Sequence, residues 1–109
     1  MLKIQSNGDI ELTRGDTARL TVSVTDNQKQ PYTVKEDDVL TLTVKKDYKD
    51  TEALIEKKII GSNTFHIEPK DTKELEFATY KYDVQITTAD GDNYTVIDDK
   101  KFKIANEVG

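Results

Sequence analysis

The chain has 109 residues, which predicts a single domain, and it lacks cysteine, which excludes disulfides and thiolate metal sites. Its net charge of −5, with basic residues scattered among acidic ones, argues against nucleic acid or an anionic membrane as a partner. No apolar run approaches the roughly 18 residues of a membrane span, and no signal peptide follows Met1, so we expect synthesis in a cytoplasm.

The N-terminal region predicts two short strands, at residues 2–5 and 9–12, with a break at Asn7-Gly8. A split first strand of this kind can pair with both sheets of a β-sandwich. Residues 14–16 then predict a turn, because Arg14-Gly15-Asp16 places glycine where the chain must reverse. We favour this turn over an integrin-binding motif, since such a tripeptide recurs by chance.

Two longer segments, residues 17–25 and 39–46, alternate apolar and polar side chains and predict half-buried strands. Between them, residues 26–31 predict a polar turn, residues 32–34 an extended stretch, and residues 35–38 either one helical turn or a loop. In the two strands the expected inward residues are Leu20, Val22, Val24, Leu40, Leu42 and Val44, and the expected outward residues of the first are Arg19, Thr21 and Ser23.

The next segments carry weaker patterns. A turn at residues 47–51 precedes residues 52–60, whose apolar side chains fall on both parities, so we expect an edge strand, with a bulge as an option. Residues 61–63 predict a turn into a strand at residues 64–68. Residues 69–76 begin with proline and predict one or two helical turns that cross between the sheets. The side chains expected to face the core here are Phe65, Ile67 and Leu75.

Residues 78–86 form the clearest strand, with Tyr80, Tyr82, Val84 and Ile86 on one parity. A small residue followed by Tyr80 and by a core position two residues later fits the tyrosine corner of immunoglobulin-like sandwiches. We therefore expect Tyr80 or Tyr82 to be largely buried, with one phenol bonded to the backbone near residues 69–76. The corner pattern favours Tyr80.

Asp90-Gly91 predicts a β-hairpin. A two-residue loop would set threonine opposite Ile86, whereas a three-residue loop at 89–91, with Gly91 as a bulge, sets apolar residues opposite each other. We predict the three-residue loop. Its expected cross-strand pairs are Ile86 with Tyr94 and Val84 with Val96.

Residues 98–101 are expected to interrupt the last strand, which resumes at residues 102–104. The predicted fold is all-β: an immunoglobulin-like antiparallel β-sandwich of about seven to eight strands, with a short helical turn before the tyrosine strand. One sandwich domain would span residues 1–105, and residues 106–109 would form a C-terminal tail. We expect a core that includes Leu20, Val22, Leu42, Val84 and Ile86. Three lysine pairs are placed to protect strand edges from unwanted pairing, namely Lys45-Lys46, Lys57-Lys58 and Lys100-Lys101.

Catalytic chemistry has little support in the sequence. His66 alternates with the inward Phe65 and Ile67, so it is expected on the surface, and a catalytic or metal role would need converging partners. Neither a nucleophile elbow nor a phosphate-binding glycine loop is present. The serines expected in turns or on an outward face are Ser6, Ser23 and Ser62.

Four aspartates near the second hairpin strand invite comparison with a calcium site, because neighbouring loop oxygens can bind calcium weakly. The twelve-residue loop with its terminal glutamate is missing, however, and hairpin chemistry explains Asp90-Gly91. The four residues are Asp90, Asp92, Asp98 and Asp99. We predict no catalytic, cofactor-binding or metal-binding residues and no cofactor. The sequence does not assign the residues of a binding surface.

Residues 12–17 and 65–84 carry several motifs, among them Arg14-Gly15-Asp16-Thr17 and Tyr80-Lys81-Tyr82-Asp83-Val84. Together they resemble a family of small immunoglobulin-like domains in tail proteins of tailed bacteriophages and prophages, including the N-terminal domain of baseplate upper proteins. The likeness begins at residues 12–17, which match an "RGDT" opening, and is strongest over residues 65–84. There the family pattern "P-x-D-T-x-x-L … G-x-Y-x-Y-D-V" is matched at Pro69, Asp71-Thr72, Leu75 and Tyr80 to Val84. The chain departs from the pattern at Ala78, where glycine is usual, and at residues 98–100, where a small Ser-Gly pair is common.

The resemblance implies a structural or interaction module of a phage or prophage tail, associated with the baseplate and without enzymatic activity. Its implied partners are other tail or baseplate proteins, with a homo-oligomer in the assembly as an option. Its implied location is the virion tail, after synthesis in the bacterial cytoplasm. The alternative is a carbohydrate-binding or adhesive surface module. Such modules need exposed aromatic residues; the chain has no tryptophan, and only Tyr32 and Tyr48 depart from the inward parity of most tyrosines.

Overall fold

A computed structural model describes residues 2–4, 8–25, 28, 30–47 and 52–106, with the backbone alone at residues 2–4 and 99. These residues form eight strands and one helical turn. In chain order the elements are β1 (Leu2–Ile4), β2 (Ile10–Thr13), β3 (Ala18–Thr21), β4 (Val39–Lys45), β5 (Ile55–Ile60), β6 (Thr64–Ile67), α1 (Pro69–Thr72), β7 (Thr79–Thr87) and β8 (Asn93–Ala105).

The described strands lie in two sheets: a curled six-stranded sheet in the order β1-β2-β8-β7-β4-β5 and a two-stranded sheet of β3 and β6. The prediction of a mostly β fold is confirmed. The prediction of purely antiparallel pairing is wrong at one place, because β2 runs parallel to β8. The split first strand also stays within one sheet, since β1 folds back antiparallel onto β2.

The core lies between the two sheets and contains the inward residues of both. All five residues predicted for it are buried: Leu20, Val22, Leu42, Val84 and Ile86. At the centre, the side chains of Leu42, Phe65 and Phe102 have no solvent exposure. Burial of apolar area at about 25 cal/mol per Å² supplies the main stabilisation of such a fold.

The ladder between β3 and β6 is shorter than the predicted strand at residues 17–25, yet the alternation of buried and exposed residues continues beyond it. The backbone N–H of Val22 donates to the carbonyl oxygen of Asn63 at 2.8 Å, and the side-chain Nδ2 of Asn63 donates to the carbonyl oxygen of Val22 at 2.9 Å. Tyr32 N–H then donates to Val24 O at 2.8 Å. Hydrogen bonds outside the β3–β6 ladder thus hold the second half of the predicted strand, at Val22 and Val24.

Strand β5 is an edge of the larger sheet, as predicted, and pairs with β4 in a regular register that contains no bulge. Lys57-Lys58 therefore lies on a sheet edge, which fits its expected protective role. Lys45 ends β4, a central strand paired on both sides, so its expected edge position is wrong.

The helical turn α1 joins β6 to β7 and is held by side-chain contacts. Asp71 Oδ2 accepts from the N–H of Glu68 at 2.7 Å, and Lys57 Nζ lies 2.8 Å from the same oxygen. Thr72 is buried, and its hydroxyl oxygen accepts from the N–H of Gly15 at 2.8 Å. Leu75 packs against the core as expected.

The turn at Arg14 and Gly15 packs against the segment that follows α1. The Arg14 guanidinium lies 4.1 Å from the ring centre of Phe77, and its Nη1 donates to Leu75 O at 3.3 Å. This stacking is a cation–π contact. The predicted turn is confirmed, and its arginine binds within the protein.

Strands β7 and β8 form the predicted hairpin. Thr88 N–H donates to Asp92 O at 2.9 Å around the loop at residues 89–91, and Gly91 has φ of 88°, a conformation that favours glycine. Ile86 faces Tyr94, as predicted, but Val84 faces Ile97 instead of Val96. The difference follows from two register irregularities within the hairpin.

The predicted interruption at residues 98–101 is wrong, because β8 runs continuously from Asn93 to Ala105. The pairing with β7 shifts by one residue on either side of Val84, so β8 carries two extra residues. Bulges absorb extra residues without ending a strand. Each shift alone would turn the side chains of β8 to the opposite face, but the two together cancel. Tyr94 and Phe102, on either side of the shifts, therefore both point to the core side of the sheet.

Both tyrosines of β7 are buried, as predicted. The Tyr80 hydroxyl donates to the carbonyl of Glu76 at 2.9 Å, which confirms the expected bond to the segment before the strand. The Tyr82 hydroxyl donates to the carbonyl of Gly8, and its ring packs edge-on against Phe102 with the centres 5.9 Å apart.

Candidate binding groove

An open groove of about 340 Å³ lies between the sheets beside the β7–β8 hairpin. One wall is the extended chain that follows β3, together with Tyr32. The other wall is the hairpin end of β7 and β8. The lining residues are Val24, Thr25, Tyr32, Ile86, Thr88, Tyr94, Thr95 and Val96.

The groove exists because the core-facing side of the hairpin is incompletely covered at this end. Ile86 and Tyr94 are cross-strand partners and therefore point to the same face of the sheet. Ile86 is 4% exposed, whereas Tyr94 is 51% exposed. A large aromatic ring on the core side of a sheet thus remains accessible to a ligand.

The outer edge of β8 is also open next to the groove. Strand β2 pairs with residues 102–105 of β8, and among the described strands none pairs with its outer edge over residues 93–101. Since Thr88 and Asp92 form a hydrogen-bonded pair, antiparallel alternation directs the backbone N–H and C=O of Asn93 and Thr95 away from β7. Backbone donors and acceptors therefore border an apolar cleft.

The Tyr32 wall is fixed by a short hydrogen-bond network. The Tyr32 hydroxyl donates to Asp38 Oδ2 at 2.7 Å, and Lys35 N–H donates to the same oxygen at 2.9 Å. The backbone bond from Lys35, followed by the Tyr32 bond, holds the pKa of Asp38 below its ordinary value. The same bond to Asp38 raises the pKa of Tyr32. The hydroxyl of Tyr32 is engaged, so this residue offers its ring to the groove.

Charges of opposite sign mark the two ends of the open edge of β8. Asp90 and Asp92 lie exposed in the hairpin loop at its start. Lys100 lies at the other end, where its side chain approaches Gly8, and Lys101 follows it. The Lys101 N–H donates to Asp9 Oδ1 at 3.0 Å, so a carboxylate closes the edge there.

The residues weighed for chemistry in the sequence do not come together. His66 is exposed on β6 opposite Arg19, which confirms its expected surface position. Ser23 and Ser62 are exposed as well, and Ser6 lies outside the described residues. Tyr48, considered for sugar binding, also falls outside them.

The four aspartates are divided between loop and strand: Asp90 and Asp92 lie in the hairpin loop, whereas Asp98 and Asp99 belong to β8. Within the described part of the chain, no group of three or more histidine, aspartate or glutamate residues is placed to hold a metal ion.

The groove itself was not foreseen in the sequence, although the Ile86–Tyr94 pairing was. Pairing predicts which face Tyr94 occupies, but its exposure depends on how far the opposite sheet and β2 extend. The sequence signal for the groove is Tyr94 itself, an aromatic residue at the second position of β8.

A scan of protein-family models, a search of curated proteins and a search of solved structures all find no match to this chain. Over residues 2–4, 8–25, 28, 30–47 and 52–106, no helix is long and apolar enough to cross a membrane.

Proposed function

We propose that this chain is a structural and interaction module of a phage or prophage tail, associated with the baseplate, which docks other tail proteins. The observation that carries the docking role is the apolar groove beside the open edge of β8. Sheet edges bind extended partner segments through backbone hydrogen bonds, while adjoining pockets select side chains. The tail setting rests on the sequence resemblance over residues 12–17 and 65–84.

The immunoglobulin-like part of this proposal has support from strand grouping. Strands β4, β7 and β8 lie together in the larger sheet, and β3 and β6 form the smaller one. We assign them as strands C, F and G facing strands B and E of such a sandwich. The Tyr80 bond to Glu76 then takes the place of the tyrosine corner at the start of strand F.

The proposal assigns binding and no reaction to the molecule. A groove lined by aliphatic, aromatic and threonine side chains provides contacts and hydrogen bonds. Its lining residues include two tyrosines and three threonines but no histidine, cysteine, lysine or carboxylate that could complete a nucleophile–base pair.

A pull-down against the other tail proteins encoded in the same gene cluster tests the docking role. Tagged protein should retain at least one baseplate or tail protein, and an excess of untagged protein should compete for it. Failure to retain any of them, with folded bait, would contradict the proposed function.

The alternative function, carbohydrate binding, is favoured by one feature of the same groove. Two tyrosines and three threonines line a single cleft, and sugars are bound by such combinations of stacking and hydrogen-bonding side chains. A glycan array run beside the pull-down separates the two functions. A reproducible glycan signal that Tyr94→Ala removes, with no tail partner recovered, would establish the alternative.

A further inference from the structure

We infer that the groove takes an extended peptide segment of a partner protein, which adds to β8 as a parallel strand in line with β2. This inference rests on the proposed docking function and specifies its geometry. The segment carries aliphatic side chains at alternate positions, a basic residue at its N-terminal end and acidic residues at its C-terminal end.

The direction and position of the segment follow from the existing ladder. Strand β2 pairs in parallel with β8, from Ile10 opposite Phe102 to Thr13 opposite Ala105, and then stops. The edge of β8 continues over residues 93–99, before Gly8 and Asp9 reach Lys100 and Lys101, and the two bulges shorten that stretch by two residues. The open edge therefore measures about 17 Å at 3.3 Å per residue, room for roughly five residues of a new strand.

The side-chain pattern of the segment follows from β2. In β2, Ile10 and Leu12 are buried while Glu11 and Thr13 are only partly covered. A strand in line with β2 keeps this parity, so alternate side chains enter the groove between Tyr94 and Val24. Aliphatic residues at those positions would cover the exposed ring of Tyr94.

The charged residues at the two ends of the open edge determine the direction in which the partner segment binds. A parallel segment begins beside Asp90 and Asp92 and ends beside Lys100 and Lys101. A basic N-terminal end complements the two aspartates, and an acidic C-terminal end complements the two lysines. The lysines also discourage pairing with an uncharged strand, which makes the edge selective.

The test uses the peptide Lys-Val-Thr-Val-Thr-Val-Asp-Glu and, as its control, Lys-Val-Val-Val-Thr-Thr-Asp-Glu, which has the same composition without the alternation. Both are titrated into isotope-labelled protein while the backbone amide signals are followed. The first peptide should bind saturably and shift the amides of residues 93–97 together with Val24 and Thr25. Equal binding of both peptides, or no binding of either, would overturn the inference.

Orientation is read with a spin label on the peptide. A label at the N-terminal end should broaden the amides of Asp90 and Asp92, and a label at the C-terminal end should broaden Lys100. The reverse assignment would exclude a parallel strand. Shifts confined to β1 and β2 would mean that the peptide displaces the first strand from its pairing, which would also overturn the inference.

Tyr94→Ala should weaken peptide binding about tenfold, because it removes the largest exposed ring of the groove. Phe77→Ala is the matched control, since Phe77 is also an exposed ring, at 48%, and lies outside the groove lining. Unchanged binding by Tyr94→Ala would overturn the inference. If the pull-down recovers a tail protein but the alternating peptide does not bind, the groove assignment is wrong and the docking function stands. If the pull-down recovers no tail protein, the proposed function is wrong.

Discussion

The hydroxyl of Tyr82 donates a hydrogen bond to the carbonyl oxygen of Gly8, a residue 74 positions earlier in the chain. The bond joins the centre of β7 to the turn that leads into β2, beneath Lys100 of β8. Burial, followed by the nearby charge of Asp9, raises the pKa of Tyr82 to about 12.

This buried phenol predicts a loss of stability at high pH. Because the pKa of Tyr82 in the folded state is about 12 and its ordinary value is 10.0, its contribution is fully present below pH 10 and is lost as the pH rises toward 12. Denaturant unfolding measured across this range should therefore show a steeper decline for the native sequence than for Tyr82→Phe. Tyr94→Phe, at an exposed ring, should keep the steep decline; equal slopes for all three proteins would contradict the prediction.

Replacing Tyr80 with phenylalanine should lower the free energy of unfolding by about 0.5–1.5 kcal/mol, because the bond to Glu76 O is lost while the ring still fills its place. Chemical denaturation at neutral pH measures the change. Tyr94→Phe is again the control and should be nearly neutral. A neutral effect of Tyr80→Phe would mean that its hydroxyl contributes nothing to stability.

Truncation of Leu42 to alanine should cost roughly 2–5 kcal/mol, since its side chain is fully buried between the sheets. Such a loss threatens a domain whose total stability is of the order of 5–15 kcal/mol. Thermal unfolding should show a large fall in midpoint. Ile60→Ala on β5 is the matched control, because that side chain is 70% exposed and should change stability by about 0.5 kcal/mol or less.

Asp71 predicts a loss of stability in acid. Burial pushes its pKa upward, but the hydrogen bonds from Lys57 and Glu68 N–H, with the charges of Lys57 and Lys70, outweigh burial and leave the pKa below 3.8. A lowered pKa adds stability above pH 3.8 that is lost as the pH falls through the folded-state value.

Asp71→Asn should therefore lower the unfolding free energy by roughly 1 kcal/mol at neutral pH and flatten its decline in acid. The measurement is denaturant unfolding from neutral pH to about pH 2. Asp37→Asn, at an exposed position, is the control and should leave the acid profile unchanged. An unaltered profile in Asp71→Asn would show that the ion pair with Lys57 does not couple to folding.

The sequence predicts well those features that are determined by residues close together in the chain. Alternation alone places Leu42, Val84 and Ile86 in the core, because period two fixes the face of each strand wherever its ladder runs. Hairpin chemistry places Gly91 in its loop for a similarly local reason.

The features that sequence misses depend on distant partners. Residues 98–101 are polar and look like a break, yet neighbours on β7 hold them in β8 through two bulges. The parallel contact of β2 with β8 joins segments about ninety positions apart, and no local pattern marks it. The exposure of Tyr94 follows from where β2 stops, so the groove becomes visible only in three dimensions.

The parallel pairing of β2 and β8 has a mechanical consequence. A force that draws residue 10 away from residue 105 acts along both strands in opposite senses, so it shears the ladder and loads all of its hydrogen bonds together. A force applied instead at residue 2 would peel β1, which lies antiparallel on β2, away from it one residue pair at a time from Leu2. Under a force applied between residues 2 and 105, β1 would therefore separate first, and the parallel ladder of β2 and β8 would then resist.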